Sequence, residues 1–299
     1  MMPVLNQQAL RGEMLFDEPL SGHTTWRVGG PANCFYRPAD REDLVQFLRQ
    51  LEVEEPLFWL GLGSNLLVRD GGFKGTVIAT KGSLVASEWR SGSLLYAESG
   101  IPCAKVARIA AREGLCGVEF LAGIPGTLGG ALAMNAGAFG GETWERVVRV
   151  ETIDRFGEVR SRLPEDFEIA YRQVKGPEGE WFLAAELAME AGDTGAAQQR
   201  IKQLLERRTA TQPTSQPSCG SVFRNPPGDF AARLIEAAGM KGKRLGGAQV
   251  SEKHANFIVN TGKATARDIE MLIAEVQREV AIQSGIELKT EVHRIGDVS

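Results

Sequence analysis

The chain has little with which to hold a metal. Its three histidines, His23, His254 and His293, stand far apart, and its four cysteines, Cys34, Cys103, Cys116 and Cys219, form no C-x-x-C pair. Neither a metal site nor a disulfide framework is expected, and unpaired cysteines fit a reducing cytoplasm. An excess of one charge is missing too. The 34 Lys and Arg against 38 Asp and Glu give a formal net charge of -4, and no basic run exceeds a few residues. A phosphate-neutralising stripe for nucleic acid is therefore excluded. Residues 1–16 lack a basic segment followed by an apolar one, so no secretory signal is expected. Residues 120–141 are free of charge and long enough to span a bilayer, but seven glycines, Pro125 and Asn135 interrupt them. A lipid-facing segment has to be an unbroken helix, so no membrane contact is expected. Nothing marks an obligate protein partner either.

Glycine is abundant: 35 of 299 residues, with no G-X-Y period, about 12% against a usual level of about 7%. Many positions must need left-handed backbone or close approach to a ligand. The length allows two domains or one large one. Apolar spacings of three and four residues predict helices after Asp40 (Leu44, Phe47, Leu48, Leu51), over 102–113, 196–208 and 229–238, and after Thr265 (Ile269, Leu272, Ile273, Val276, Val280). Asp40 is a candidate N-cap, Thr265 and Asp268 stand in capping-box spacing, and Gly114, Gly239 and Gly285 are stop signals. Strands are predicted at 57–60, 66–69, 76–80, 94–98, 147–153, 181–190 and 257–260, which makes the class α+β. The polar, proline-bearing stretch 209–220 reads as a linker or an ordered loop at a domain boundary.

Two glycine loops invite a ligand. Gly61-Leu62-Gly63-Ser64-Asn65-Leu66 departs from G-x-G-x-x-G at its last position and runs into a strand, so it is no dinucleotide fingerprint on a helix. Its successive N–H groups could form an anion nest, or simply a hairpin turn. Gly123-Ile124-Pro125-Gly126-Thr127-Leu128-Gly129-Gly130, followed by Asn135-Ala136-Gly137-Ala138, suits a backbone lying against a flat ligand, with Pro125 at a helix start. A helix pair packed closely through glycine is the other reading. Together the loops favour a dinucleotide cofactor.

Six stretches occur in the order seen in one family: His23-Thr24-Thr25-Trp26-Arg27-Val28-Gly29-Gly30, residues 61–70, residues 123–140, Tyr171-Arg172, Gly220-Ser221-Val222-Phe223-Arg224-Asn225-Pro226, and Glu291-Val292. Over nearly its whole length the chain resembles the UDP-N-acetylenolpyruvoylglucosamine reductase family, in its shorter class. The resemblance implies a PCMH-type (vanillyl-alcohol-oxidase-like) FAD-binding domain over 1–208, split into subdomains near residue 82. A smaller α+β substrate-binding domain would follow over 209–299, its last strand returning Glu291 to the active site. It also implies non-covalent FAD, NADPH as co-substrate, and UDP-N-acetylglucosamine enolpyruvate as the substrate reduced for peptidoglycan synthesis. After Tyr171-Arg172 the family often continues x-Ser-x-Phe, where this chain has Gln173-Val174-Lys175-Gly176. Little room remains before Trp181 for the clamping loop of longer members.

By themselves, Arg172 would be a loop arginine, Ser221 a turn hydroxyl and Glu291 a solvated carboxylate. The resemblance implies catalytic roles for all three. Arg172 would stabilise charge developing on an enolate, since a guanidinium stays protonated and pairs with carboxylates. Ser221 would protonate carbon. Glu291, protonated beside the substrate carboxylate or held by Arg172, would hydrogen-bond the enolate. Cofactor contacts are implied for Thr25, Gly61, Gly63, Ser64, Asn65 and Leu66, and for Gly123, Ile124, Pro125, Gly126, Gly129, Asn135, Gly137 and Ala138. Substrate contacts are implied for Tyr171, Asn225, Lys241 and His254. Two other readings stay open: another oxidase on the same flavin domain, and a nucleotide-sugar-binding protein without redox chemistry. Oxidases of this kind often tether flavin through His or Cys, and no histidine lies in either glycine loop.

Overall fold

The spacings that predict helices are helical in the structure, a computed structural model that describes residues 10–298, except that Leu51 lies beyond the helix that follows Asp40. The first nine residues, and with them most of the stretch inspected for a secretory signal, lie outside the described residues. α1 (Arg41–Leu48) starts where the Asp40 carboxylate accepts the Asp43 N–H at 3.0 Å. α2 spans Cys103–Arg112, α4 Thr194–Thr211 and α5 Ala231–Ala237. α6 (Ala266–Ser284) has the capping box expected of Thr265 and Asp268, and Gly285 ends it at φ +69°. Asp70, distant in sequence, adds a second cap by accepting the N–H groups of Ala266 and Arg267, each at 2.9 Å. The stripe Ile269, Leu272, Ile273, Val276 and Val280 is wholly buried. Each such side chain contributes roughly 1.5–3 kcal/mol of burial.

Pro125 does not start a helix. Short turns hold it in a loop: Gly126 N donates to Ile124 O at 3.0 Å, and Gly126 O accepts from Cys103 N at 2.9 Å. The chain coils only after Thr127, into α3 (Leu128–Ala133).

Two compact units emerge, and neither is contiguous. One comprises residues 10–16 with Cys34–Leu62 and Gly75–Glu206; the other comprises Asp17–Asn33, Gly63–Lys74 and residues 207–298. This differs from a contiguous division at 208/209, because two early segments pack with the C-terminal residues. In the first unit a five-stranded antiparallel sheet runs in the order Val159–Arg162, Val147–Asp154, Glu180–Ala188, Leu94–Glu98, Ser87–Trp89. Its inner face packs on α2 and α3 through Leu95, Val106, Leu128, Leu132 and Leu187. A second core joins α1 to a four-stranded sheet through Tyr36, Phe47 and Ile78. That sheet runs Glu13–Pro19, Pro31–Arg37, Phe73–Ala79, Leu57–Leu60, and residue 82 follows it, before the strand Ser87–Trp89 of the larger sheet.

In the second unit, α5 and α6 cover a small antiparallel sheet of Arg244–Leu245, Ala248–Val250 and Ile258–Asn260. Trp26 is fully buried there and donates from Nε1 to Ile258 O at 2.7 Å. The strand His293–Ile295 pairs in parallel with Leu66–Val68. The stretch 209–220 is ordered: Ser218 bridges Val259, and Pro217 O accepts from Asn260 N at 2.9 Å.

Candidate active site

The first unit contains a cavity of about 350 Å³ whose lining includes Trp59, Gly61, Thr80, Ser99, Thr127 and Gly129. Three of its polar atoms, Trp59 Nε1, Ser99 Oγ and Thr127 Oγ1, are buried without a hydrogen-bond partner among the described residues. A buried unsatisfied group costs about 1–3 kcal/mol, so three in one cavity point to a ligand that meets them. The Trp59 and Trp181 rings stack with centroids 5.5 Å apart at 19°, offering an aromatic wall. A Cβ added at Gly61 would come within 2.4 Å of Thr127 Oγ1, so only glycine admits this hydroxyl so close to the first loop. Aromatic walls with a few convergent donors fit the flat ring and ribose of a dinucleotide.

In the second loop Gly129 lines the cavity, and a Cβ at Gly123 would lie 2.5 Å from Phe139 Cε2, so the chain packs closely there. Ile124 and Pro125 are half-buried in the loop already described. Asn135 is buried and its amide is engaged: Nδ2 donates to Glu142 Oε2 at 2.7 Å and Ala170 O at 3.3 Å, and Oδ1 accepts from Trp144 N at 3.1 Å. Ala138 and Gly137 pair with Gly141 and Glu142. Arg172 reaches this hairpin, donating from Nη2 to Gly137 O at 2.7 Å and from Nη1 to Asn135 O at 3.3 Å. Its guanidinium also lies 4.9 Å from the exposed Tyr171 ring.

In the second unit, hydrogen bonds join the first glycine loop to Ser221 and Glu291. Asn65 Nδ2 donates to Glu291 O at 3.1 Å, and Glu291 N donates to Val222 O, next to Ser221, at 2.8 Å. Thr25 N donates to Gly63 O at 3.1 Å. The buried thiol of Cys219 accepts from Leu66 N at 3.1 Å and lies 3.6 Å from both Thr25 Oγ1 and Gly63 O. It pins the Ser221 segment to residues 63–66. Asn256 fixes the far side, its Oδ1 accepting from Phe223 N and its Nδ2 donating to Phe223 O. Cys219 and Asn256 escaped the sequence reading because nothing local separates a latch from an ordinary core residue.

The remaining candidates sit on other elements of this unit. Asn225 caps α5, its Oδ1 accepting from Ala231 N at 3.1 Å. Lys241 Nζ pairs with Glu236 at 3.0 Å. Burial, and then the charge of Lys241, hold the His254 pKa below its ordinary value, which favours the neutral ring; its buried Nδ1 has no hydrogen-bond partner among the described residues. Among the described residues no three His, Cys, Asp or Glu side chains gather as metal ligands, and no helix is long and apolar enough to cross a membrane.

A family model described as an FAD binding domain matches residues 32–161, and one described as the C-terminal domain of UDP-N-acetylenolpyruvoylglucosamine reductase matches 212–295. The class is therefore a mixed α and β flavoprotein fold, a PCMH-type FAD-binding domain with a smaller C-terminal domain, as the sequence implies. The chain is 66% identical over 287 residues to the UDP-N-acetylenolpyruvoylglucosamine reductase of Methylococcus capsulatus, covering 96% of this chain and 94% of that one. It is 62% identical to that of Alkalilimnicola ehrlichii, with 96% of each covered. The crystal structure of the reductase (MurB) from Thermus caldophilus superposes with a TM-score of 0.82 at 34% identity, over 95% of this chain and 99% of that one. The chain belongs to the UDP-N-acetylenolpyruvoylglucosamine reductase family.

Proposed function

We infer that the protein uses FAD and NADPH to reduce the enolpyruvyl double bond of UDP-N-acetylglucosamine enolpyruvate, yielding UDP-N-acetylmuramate for peptidoglycan synthesis. Family membership over nearly the full length supports the reaction. The observation that carries the residue assignment is the linkage of Ser221 and Glu291 to the first glycine loop through Glu291 N–Val222 O and Asn65 Nδ2–Glu291 O. When bound, FAD would supply the hydride for the terminal vinyl carbon. The protein's own residues then have to manage the carbanionic charge left beside the substrate carboxylate.

Arg172 suits that charge. Its hydrogen bonds to Asn135 O and Gly137 O orient the guanidinium. Ser221 is the proton donor: a hydroxyl is too weak an acid for most bases, but an enolate carbon is basic enough to take its proton, which water then replaces. Glu291, protonated beside the substrate carboxylate, donates a hydrogen bond to the enolate. Asn225, Lys241 and His254 serve the nucleotide, with Lys241 countering diphosphate charge and neutral His254 donating to it; Tyr171 offers an exposed ring beside Arg172. Trp59, Ser99 and Thr127, which line the cavity with buried polar atoms lacking a partner among the described residues, would hold part of the dinucleotide. Residence in the cytoplasm is supported by four free cysteines and by a nucleotide-sugar substrate.

Ser221→Ala tests the assignment. The variant should retain FAD and its bleaching by NADPH while substrate reduction falls at least about 10²-fold, the low end for a positioned acid. Unchanged turnover would overturn the role of Ser221.

A further inference from the structure

Arg172 is held in an unusual way. It is the second residue of a two-residue turn joining the strands Glu168–Ala170 and Gln173–Lys175, where Ala170 pairs with Gln173, and its φ is +54°. An arginine in left-handed backbone is strained and persists only where its surroundings over-determine it. The carbonyls of Asn135 and Gly137 do so, and the Gly137 backbone comes so close that a Cβ there would lie 3.0 Å from Arg172 Nη1. Asn135 is itself left-handed, at φ +46°.

Glu142 reaches every part of this arrangement. Its Oε2 accepts from Asn135 Nδ2 at 2.7 Å, fixing the residue whose carbonyl receives Arg172 Nη1. Its backbone pairs with Gly137, whose carbonyl receives Arg172 Nη2. Its Oε1 lies 3.9 Å from Nη1 itself, with the Arg172 side chain only 15% exposed. A carboxylate at that distance biases where the guanidinium sits. We propose that Glu142 is the positioning residue for Arg172: it touches no reacting atom, but it fixes the two carbonyls and the field in which the guanidinium is aimed. This rests on the reading that Arg172 stabilises the developing charge.

Glu142 also caps the single turn Thr143–Arg146, so a purely structural role has to be separated from positioning. Glu142→Gln keeps an acceptor for Asn135 and removes the charge; Glu142→Ala removes both. The holoenzymes are compared anaerobically for FAD content, thermal melting, bleaching by NADPH, and recovery of absorbance on mixing with substrate. The expected result is FAD content, melting and bleaching close to the parent for Glu142→Gln, with recovery slowed roughly tenfold, short of the ~10² that a misplacement of 1 Å can cost. Glu142→Ala should be slower still. In an Arg172→Lys background, Glu142→Gln should add little, because the two act as one unit. Parental recovery in Glu142→Gln, or a uniform fall of FAD content, melting and both half-reactions, overturns the proposal. If Arg172→Lys recovers at the parental rate, the role of Arg172 falls and this inference with it. If Arg172→Lys is slow and Glu142→Gln is not, the inference alone falls.

Discussion

Thr127 shows what a single residue can reveal. Its hydroxyl is buried, without a hydrogen-bond partner among the described residues, and set against the space kept open by Gly61, a combination that destabilises the protein unless a ligand meets it. Thr127→Val removes the hydroxyl at nearly constant shape, so the two states should respond in opposite directions. FAD should bind roughly tenfold more weakly, the ~1.4 kcal/mol of one modest hydrogen bond, while the FAD-free variant melts at or above the parent. Flavin titration and thermal melting check the pair, and unchanged FAD affinity would remove Thr127 from the cofactor site. The glycines of this region were legible in the sequence because they crowd into two short loops. Trp59, Ser99 and Thr127 were not, since an orphaned hydroxyl differs from a satisfied one only in what surrounds it. Cys219 is similar: burial pushes its thiol pKa up to about 12, so it acts as a neutral latch two residues before Ser221.

Among the elements, the helices were legible and several strands were not. The stripe of α6 repeats over 19 residues and is bracketed by Thr265 and Gly285, a signal carried entirely by neighbours in sequence. The strands Glu13–Pro19 and Pro31–Arg37 lack that regularity: the first shows no alternation of burial, and the second alternates only over its first four residues. The strand Glu180–Ala188 carries a measurable consequence at its first residue. Glu180 Oε1 accepts from Arg162 Nη2 at 2.5 Å and Oε2 accepts from Thr152 Oγ1 at 2.6 Å, on a side chain 8% exposed. The Arg162 hydrogen bond holds its pKa below the ordinary value, against the opposing effect of burial. A depressed carboxylate adds stability above its unfolded pKa, about 4.3 for Glu, and loses it as pH falls through the folded value. Glu180→Gln should therefore melt below the parent at neutral pH, with the gap closing on acidification below about pH 4. A gap constant from neutral to acid pH would contradict this reading.

At the scale of the whole molecule, the sequence motifs were legible in order but not in grouping. Residues 23–30 and 61–70 stand early in the chain, yet Trp26, Val28 and Leu67 belong to the core of α5 and α6. No local pattern announces that, because the apolar partner of Trp26 is more than 200 residues away. The grouping carries the functional argument: the second unit joins Ser221, Glu291 and the loop from Gly63 to Leu66 through a few backbone and amide bonds, and the first contains the aromatic cavity and Arg172. In the proposed reaction this chain carries electrons from NADPH to the enolpyruvyl substrate through FAD. Anaerobic stopped-flow absorbance near 450 nm tests it most directly, mixing the purified protein with NADPH and then with UDP-N-acetylglucosamine enolpyruvate. Rapid bleaching followed by recovery on addition of substrate, without oxygen, is the result expected. Bleaching that recovers only when oxygen is admitted would contradict it.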